Sequence, residues 1–381
     1  MNKLGLELND NQRRFLGQVI RRPNVRRHEL AAELGFSPQT AMRVVQPLIE
    51  AGIIIESDEP TGVRGKRPKI TEFVRSSLLT VGIVLAPDRI TVSFSDLNGQ
   101  IISRETVRQE FTRSRQQLGV IEELLADLSM DLPQNARVVS SGVAASGFFL
   151  ERGRRIVSRV DPGGWAEIDL KQKIEQLTGV PTAIENDGHI IATSILEEDR
   201  RQNFIAIFLD ARIGGGIVAD GRLVHGHHGN AGVVGRLFKE GSERPSEPGL
   251  RRALQLDDWD SWKGVSSLSS NRETELNRWL DDIGKQFTDA LNQALSLFDF
   301  EAAYICSRIP QDILEMLASR IQFIPLGANL DFGLERSFVM PKPIVVGRRV
   351  ENFAGMAHTL AARLFLNPPL GSTAIAVDRG R

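Results

Sequence analysis

The sequence predicts an α/β chain in which a small, helix-first head precedes a larger body made from a repeated α/β unit. Three observations carry this. Near the N-terminus, helical periodicity is broken by a glycine turn and followed by a short strand and a basic loop. Further on, residues 78–104 and 203–224 each read as three strands joined by tight turns, with a long helix and a further strand after each. Finally, 41% apolar and 25% charged residues are the proportions of an ordinary globular chain, and no apolar run is long enough to span a bilayer.

In the head, Phe15, Leu16, Val19 and Ile20 repeat at helical spacing and predict a first helix over Asn11 to Arg21, stopped by Pro23. Arg27 to Leu34 predicts a second helix with Leu30, Ala31 and Leu34 turned inward. Gly35 then supplies the left-handed turn that favours glycine, and Ser37-Pro38 starts a third helix with serine as N-cap and proline in the first turn. That helix runs to Ala51, with Ala41, Val44, Val45, Leu48 and Ile49 facing the core and a bend expected at Pro47. Ile53 to Ile55 reads as a strand and Arg64-Gly65-Lys66-Arg67-Pro68 as a basic loop. The order helix, tight turn, helix, wing is that of a winged helix-turn-helix reader of duplex DNA. Gln39, Thr40 and Arg43 lie outward near the start of the third helix, the part that enters a major groove. Glutamine pairs with adenine, arginine with guanine, and a threonine methyl touches thymine. Arg64, Lys66, Arg67 and Lys69 are expected on phosphates or in the minor groove.

Charge supports the division. Residues 1–78 hold thirteen Lys/Arg against nine Asp/Glu, an excess of four, whereas the whole chain carries a net charge of −1. A basic head on an acidic body suits a head that meets phosphates. Cys306 is the single cysteine, which excludes an internal disulfide and a cysteine-based zinc site. The start is polar, without a signal-peptide core, and a cytoplasmic location with no membrane contact is expected.

The body repeats its plan. The first copy is followed by a helix over Arg113–Leu128 and a strand over Ala136–Val143, the second by Asn271–Leu297 and Ala302–Cys306. Two copies suggest two lobes with a cleft, and such interfaces are usual ligand sites.

Four stretches point to a particular family. Ile213-Gly214-Gly215-Gly216-Ile217 reads as a Gly-rich turn and is followed, after an eight-residue gap, by Gly226, then by Gly232-Val233-Val234-Gly235-Arg236. Glu185-Asn186-Asp187 and Pro162-Gly163-Gly164-Trp165 stand at matching positions, while Arg212 stands where a glycine is usual. With the winged head, these make the chain resemble the ROK-family transcription regulators, the group uniting repressors, open reading frames and kinases. The resemblance covers nearly the whole chain. It implies a winged helix-turn-helix domain over residues 1–75 and an actin-like, ribonuclease H-like body of two lobes. Lobe 1 is expected over 78–187, with a C-terminal helix at about 351–367 packing back on it, and lobe 2 over 188–350.

The same resemblance implies a sugar site. Asn186 and Asp187 match the family's sugar-contacting pair, the aspartate being the base in kinases; as a bland alternative, the two cap the following helix. Gly164 and Trp165 match the turn into the sugar-side loop, although a tryptophan is more often packing than stacking. His228, in a cluster with His225 and His227, and Arg236 complete the candidate ligand set. Where the family has Glu-x-Gly-His, this chain reads Val233-Val234-Gly235-Arg236. The sugar-contacting glutamate and zinc-binding histidine are thus replaced, no metal or other cofactor is expected, and Arg236 suits an anionic ligand such as a sugar phosphate or acid. Kinases of this family also need glycine loops on the nucleotide. Here Val84-Leu85-Ala86-Pro87-Asp88-Arg89 and Ser307-Arg308-Ile309-Pro310 stand in their places, so no catalytic residues are assigned.

The expectation is a transcription regulator, a repressor of a carbohydrate-related operon. It would act as a homodimer or homotetramer on operator DNA, under a sugar or sugar-derivative effector. The rivals are a regulator with a vestigial cleft controlled by a protein partner, and an active sugar kinase with a fused head.

Overall fold

The computed structural model describes residues 6–58, 69–158, 160–238, 244–324, 342–350 and 353–368. Contacts divide the chain into two compact units. The first comprises Met1–Gly147, Gly153–Glu185 and Ala354–Arg381, the second Phe148–Arg152 and Asn186–Phe353.

The first unit begins with α1 (Asp10–Arg21), β1 (Val25–Arg26), α2 (Arg27–Glu33), α3 (Pro38–Glu50), β2 (Ile54–Asp58) and β3 (Lys69–Phe73). Helix α1 starts in a capping box, in which Asn9 accepts from the Gln12 backbone and the Gln12 side chain accepts from Asn9. Ser37 caps α3 with Pro38 in its first turn. Between α2 and α3 the chain turns at Gly35, whose φ of +72° is cheap only for glycine. Strand β1, two residues long, carries too little pattern to be read from sequence; it joins a three-stranded sheet of order β1-β3-β2. Helix α3 continues through Pro47 to Glu50. The lost backbone bond is tolerated because Val44, Val45 and Leu48 stay buried on either side of it.

The head is not a bead on a string. Phe15, Leu16, Leu30, Val44, Val45, Leu48, Ile53 and Ile54 form one apolar cluster that also takes in Leu78, Leu97, Val139 and Phe365 from the body of the same unit. The sequence places a boundary at residues 75–78, but this connection is short and tied down. The Val74 amide donates to the Ile53 carbonyl (2.8 Å), and the Arg137 amide donates to the Ser77 carbonyl (2.9 Å). A core shared in this way makes head and first sheet cohere through burial, which sequence patterning alone cannot reveal.

That sheet is built from β4 (Leu78–Ala86), β5 (Arg89–Asp96), β6 (Ile101–Arg108), β7 (Arg137–Ala145) and β10 (Thr182–Asn186), in the order β10-β7-β4-β5-β6. Along the chain lie α4 (Ser114–Met130), β8 (Phe148–Leu150), β9 (Arg155–Val157), α5 (Pro162–Glu167) and α6 (Leu170–Thr178). Strand β4 is antiparallel to β5 and parallel to β7, and all nine of its residues are buried. A strand covered on both faces reads as a near-continuous apolar run, and Leu78 to Ala86 has Thr80 as its one polar side chain.

The second unit holds α7 (Asp187–Glu198), β11 (Phe204–Leu209), β12 (Ile213–Ala219), β13 (Arg222–Leu223), α8 (Glu247–Ala253), α9 (Ser270–Leu295), β14 (Ala302–Ser307), α10 (Gln311–Arg320) and β15 (Ile344–Arg349). Its sheet runs β13-β12-β11-β14-β15. Numbered by appearance within each sheet, both follow 3-2-1-4-5: an antiparallel meander with two parallel strands added beside the first. The duplication read in the sequence is therefore one of topology. Leu276, Leu280, Ile283, Phe287 and Leu291 along α9 pack with Ile205, Ile207 and Ile305 of the sheet into the core of this unit.

Helix α11 (Phe353–Leu366) returns to the first unit. Its His358 is buried against β4 and β5, within hydrogen-bond distance of Thr80 Oγ1 through Nδ1 (2.8 Å) and of Ser93 Oγ through Nε2 (2.9 Å). A methyl group on Gly82 would lie 2.8 Å from His358 Nε2, so the strand must be bare for the ring to fit. Burial pushes the imidazole pKa down to about 3.

Candidate functional site

In the head, α3 sorts its residues cleanly. Ala41, Val44, Val45 and Leu48 are buried, whereas Gln39, Met42, Arg43 and Gln46 are exposed. Thr40 is half-buried, and its hydroxyl lies 2.9 Å from Ser37 Oγ, so it serves the helix start. Gln46 donates its amide to Glu50 (3.0 Å). Four basic residues of the head are matched by acids: Arg22 by Glu33, Arg26 by Glu29, Arg27 by Glu56 and Lys69 by Asp58. Arg43 forms no such pair among the described residues, so part of the basic excess stands on the outward face of α3. Arg64, Lys66 and Arg67 of the wing lie outside the described residues. Met42 was missed by sequence reasoning; its signal was its spacing of three from Gln39.

In the first unit, Gly164 and Trp165 open α5. Asp161 caps this helix from a left-handed backbone (φ 48°), accepting from the Gly164 amide (3.2 Å). The same carboxylate accepts from the Ser114 amide (3.0 Å) and hydroxyl (2.8 Å), which hold its pKa below the ordinary carboxylate value. A methyl group on Gly164 would sit 2.2 Å from Asp161 Oδ2, so the glycine is required by this cap. Trp165 is fully enclosed. Its indole N–H donates to Gln117 Oε1 (3.0 Å), and Gln117 in turn donates to the Ala86 carbonyl (3.0 Å). The ring therefore presents no face for stacking; of the two roles the sequence left open, the structure displays packing, because the aromatic surface is worth more inside.

In the second unit, Asn186 caps α7, accepting from the Gly188 amide (2.9 Å); Asp187 Oδ1 accepts from the same amide (2.8 Å). Both side chains are half-buried, which leaves them surface for a ligand besides the cap. The start of α7 lies directly on β12. A methyl on Gly188 would meet Gly215 backbone atoms at 2.4 Å, one on Gly214 would lie 3.1 Å from Asp187 Oδ1, and one on Gly216 would lie 2.8 Å from the Ala192 methyl. Gly232 and Gly235 are equally confined, by Gly216 and by the Ile213 carbonyl. The glycine run read as a turn is thus a strand, paired with β11 from Phe204 to Leu209. Its glycines are there so that a helix and a following turn approach the backbone, rather than to cradle a phosphate.

The histidines lie on the loop after β13. His225, His227 and His228 are exposed, with His227 and His228 ring to ring at 4.5 Å. His225 meets His189 of α7 edge-on at 5.5 Å, and buried His189 reaches the Ala231 carbonyl through Nε2 (2.6 Å). His189 is a second residue missed by sequence reasoning: a polar side chain within the apolar start of a helix. Arg236 is exposed on a short 3-10 turn.

The two nucleotide-loop positions are filled differently from a phosphate cradle. Between β4 and β5 the turn is only Pro87-Asp88; Pro87 lacks an N–H, and its carbonyl accepts from the Phe111 amide. After β14, Arg308 pairs with Asp210 (2.6 Å) beside buried Glu247, which accepts from Arg251 and Trp259 (both 2.7 Å). Cys306, next to it, is enclosed, and burial pushes its thiol pKa up to about 12.

A three-helix head with a small β-sheet, ahead of two sheets of 3-2-1-4-5 order, defines a winged helix-turn-helix protein with an actin-like body. Residues 80–247 match the ROK family and residues 5–65 the MarR family. Residues 80–247 are thus a ROK-family region, preceded by a winged helix-turn-helix of the MarR type. "Uncharacterized protein y4fQ" of Sinorhizobium fredii is 24% identical over 335 residues, 84% of this chain and 83% of that one. The xylose repressor of Bacillus subtilis is 22% identical over 231 residues, 60% of each chain. Among solved structures, a ROK family transcriptional regulator described as a homolog of the E. coli MLC protein superposes with a TM-score of 0.65 at 17% identity, covering 94% of this chain and 96% of that one. Glucokinases match the body as well, that of Halalkalibacterium halodurans at 29% identity over 41% of this chain and 49% of its own. No helix among the described residues is long and apolar enough to cross a membrane.

Proposed function

We propose that this protein is a transcriptional repressor of a carbohydrate-related operon that binds operator DNA through α3 and the wing. The observation that carries the reading is the outward face of α3, where Gln39 and Arg43 stand exposed on a helix whose other face is locked into the core. Arg43 would pair with a guanine, and Arg64, Lys66 and Arg67 with the backbone. Two copies in a homodimer or homotetramer would read a pseudo-palindromic site. The similarity to a xylose repressor, over 60% of each chain, supports this reading.

A sugar or sugar-derived effector would bind the ROK body, with Asn186 and Asp187 as hydroxyl partners and His228 and Arg236 as further contacts. The exposed guanidinium of Arg236 favours an anionic sugar derivative. The proline turn after β4 and the Arg308–Asp210 pair after β14 speak against phosphotransfer, which depends on backbone donors placed around phosphates.

Gel shift on the DNA upstream of the gene tests the first part; retention that falls steeply with salt is the expected result, and indifference to every duplex would refute it. A thermal-shift screen of sugars, sugar phosphates and sugar acids tests the second. A coupled assay showing nucleotide turnover on any of them would overturn the non-catalytic reading. Unchanged induction by an active sugar in Asn186→Ala and Asp187→Ala variants would favour control by a protein partner.

A further inference from the structure

We propose that Met42 is a base-reading residue, which selects an A·T pair by packing on the thymine C5-methyl group in the major groove. The proposal rests on the DNA-binding reading above and assigns one chemical preference to that site.

The sequence alone gave the thymine contact to Thr40. In the structure Thr40 is half-buried, and its hydroxyl and amide are both engaged with Ser37 at the helix start. Met42 is instead 45% exposed, a long apolar side chain held in water on a helix that buries Ala41, Val44, Val45 and Leu48. With about 3.6 residues per turn, positions 39, 42, 43 and 46 share an arc of roughly 100° on the face away from the core. Met42 thus stands beside Gln39 and Arg43. These two have the donors and acceptors that read adenine and guanine edges. Gln46, the fourth member, already donates to Glu50. The surface left on this face is one amide, one guanidinium and one thioether.

In the major groove, the thymine methyl is the one apolar feature among the four base edges, and an apolar side chain gains only there. Methionine is suited to it, since its unbranched, polarizable chain fits a small methyl without a fixed rotamer. An isolated exposed methionine elsewhere would call for no explanation. Here its neighbours on the helix face make the assignment.

The experiment uses the full-length protein. A binding duplex is selected from a random library, and affinity is measured by fluorescence anisotropy after replacing each thymine in turn with deoxyuracil, which lacks only the methyl. The wild type should lose about threefold to fivefold at one thymine per half-site, the scale of one buried methyl group. Met42→Ala should bind the parent duplex weaker by a similar factor and no longer distinguish thymine from deoxyuracil there. Met42→Leu, still apolar, should keep the distinction. A full deoxyuracil penalty retained by Met42→Ala, or no sensitive thymine in the wild type, would overturn the proposal while leaving DNA binding standing. Failure to enrich any duplex would overturn the DNA-binding reading and this proposal with it.

Discussion

His358 makes the stability of the first unit depend on pH in a way that can be calculated. Its ring is buried against β4 and β5 over Gly82, and each nitrogen meets one hydroxyl, from Thr80 and Ser93. Burial lowers its pKa to about 3 from the ordinary 6.5. Below pH 6.5 the unfolded chain takes up a proton that the folded chain refuses, so stability is complete above 6.5 and falls as pH drops toward 3. Linkage puts the loss between pH 7.5 and 5.0 at about 2 kcal/mol. Carboxylates also titrate in acid, so the informative quantity is the difference between the wild type and His358→Gln, which has no titrating ring. The perturbed protein will be less stable at neutral pH, and its deficit should shrink by about 2 kcal/mol at pH 5.0. Urea titration read by hydrogen–deuterium exchange in β4, β5 and α11 confines the measurement to the right unit. A deficit of equal size at both pH values would refute the reasoning, because it would mean that the ring takes up its proton equally well in the folded and the unfolded chain.

Other expectations follow from packing. Gly188→Ala places a methyl 2.4 Å from the Gly215 backbone, with no flexible side chain to yield; it should destabilise the second unit by about 3 kcal/mol or more, seen as a lower melting temperature. Trp165→Phe leaves Gln117 Oε1 without its donor and should cost about 1–3 kcal/mol in chemical denaturation. Phe365→Ala removes a ring from the core shared by the head and the first sheet. A loss of about 3–5 kcal/mol is expected, together with faster proteolytic release of the head. Ordinary proteolysis of the variant would show that the head stands on its own core.

Much of the fold was legible in local chemistry. Ser37-Pro38 announced the start of α3, Gly35 the turn before it, and the apolar spacing of Val44, Val45 and Leu48 its buried face. The stretch from Leu78 announced strands, and the structure shows the first of them, β4, covered on both sides. Likewise, the two three-strand stretches announced a duplicated plan, since alternation and turn residues are properties of a few neighbours along the chain. The glycine run was the misleading element. Its residues permit a loop as readily as a strand, and nothing local says that α7 and the turn at Gly232 press on it.

Residue types and their spacing were thus enough to announce the winged head and the duplicated plan of the body, because these depend on periodicity and caps that act within one or two turns of backbone. Contacts between residues far apart in the chain settled the rest: that Trp165 is sealed behind Gln117, and that the head shares a core with Leu78, Val139 and Phe365. The reason is physical. Burial is a property of which surfaces meet, and two positions separated by hundreds of residues carry no local mark of the partner that will cover them.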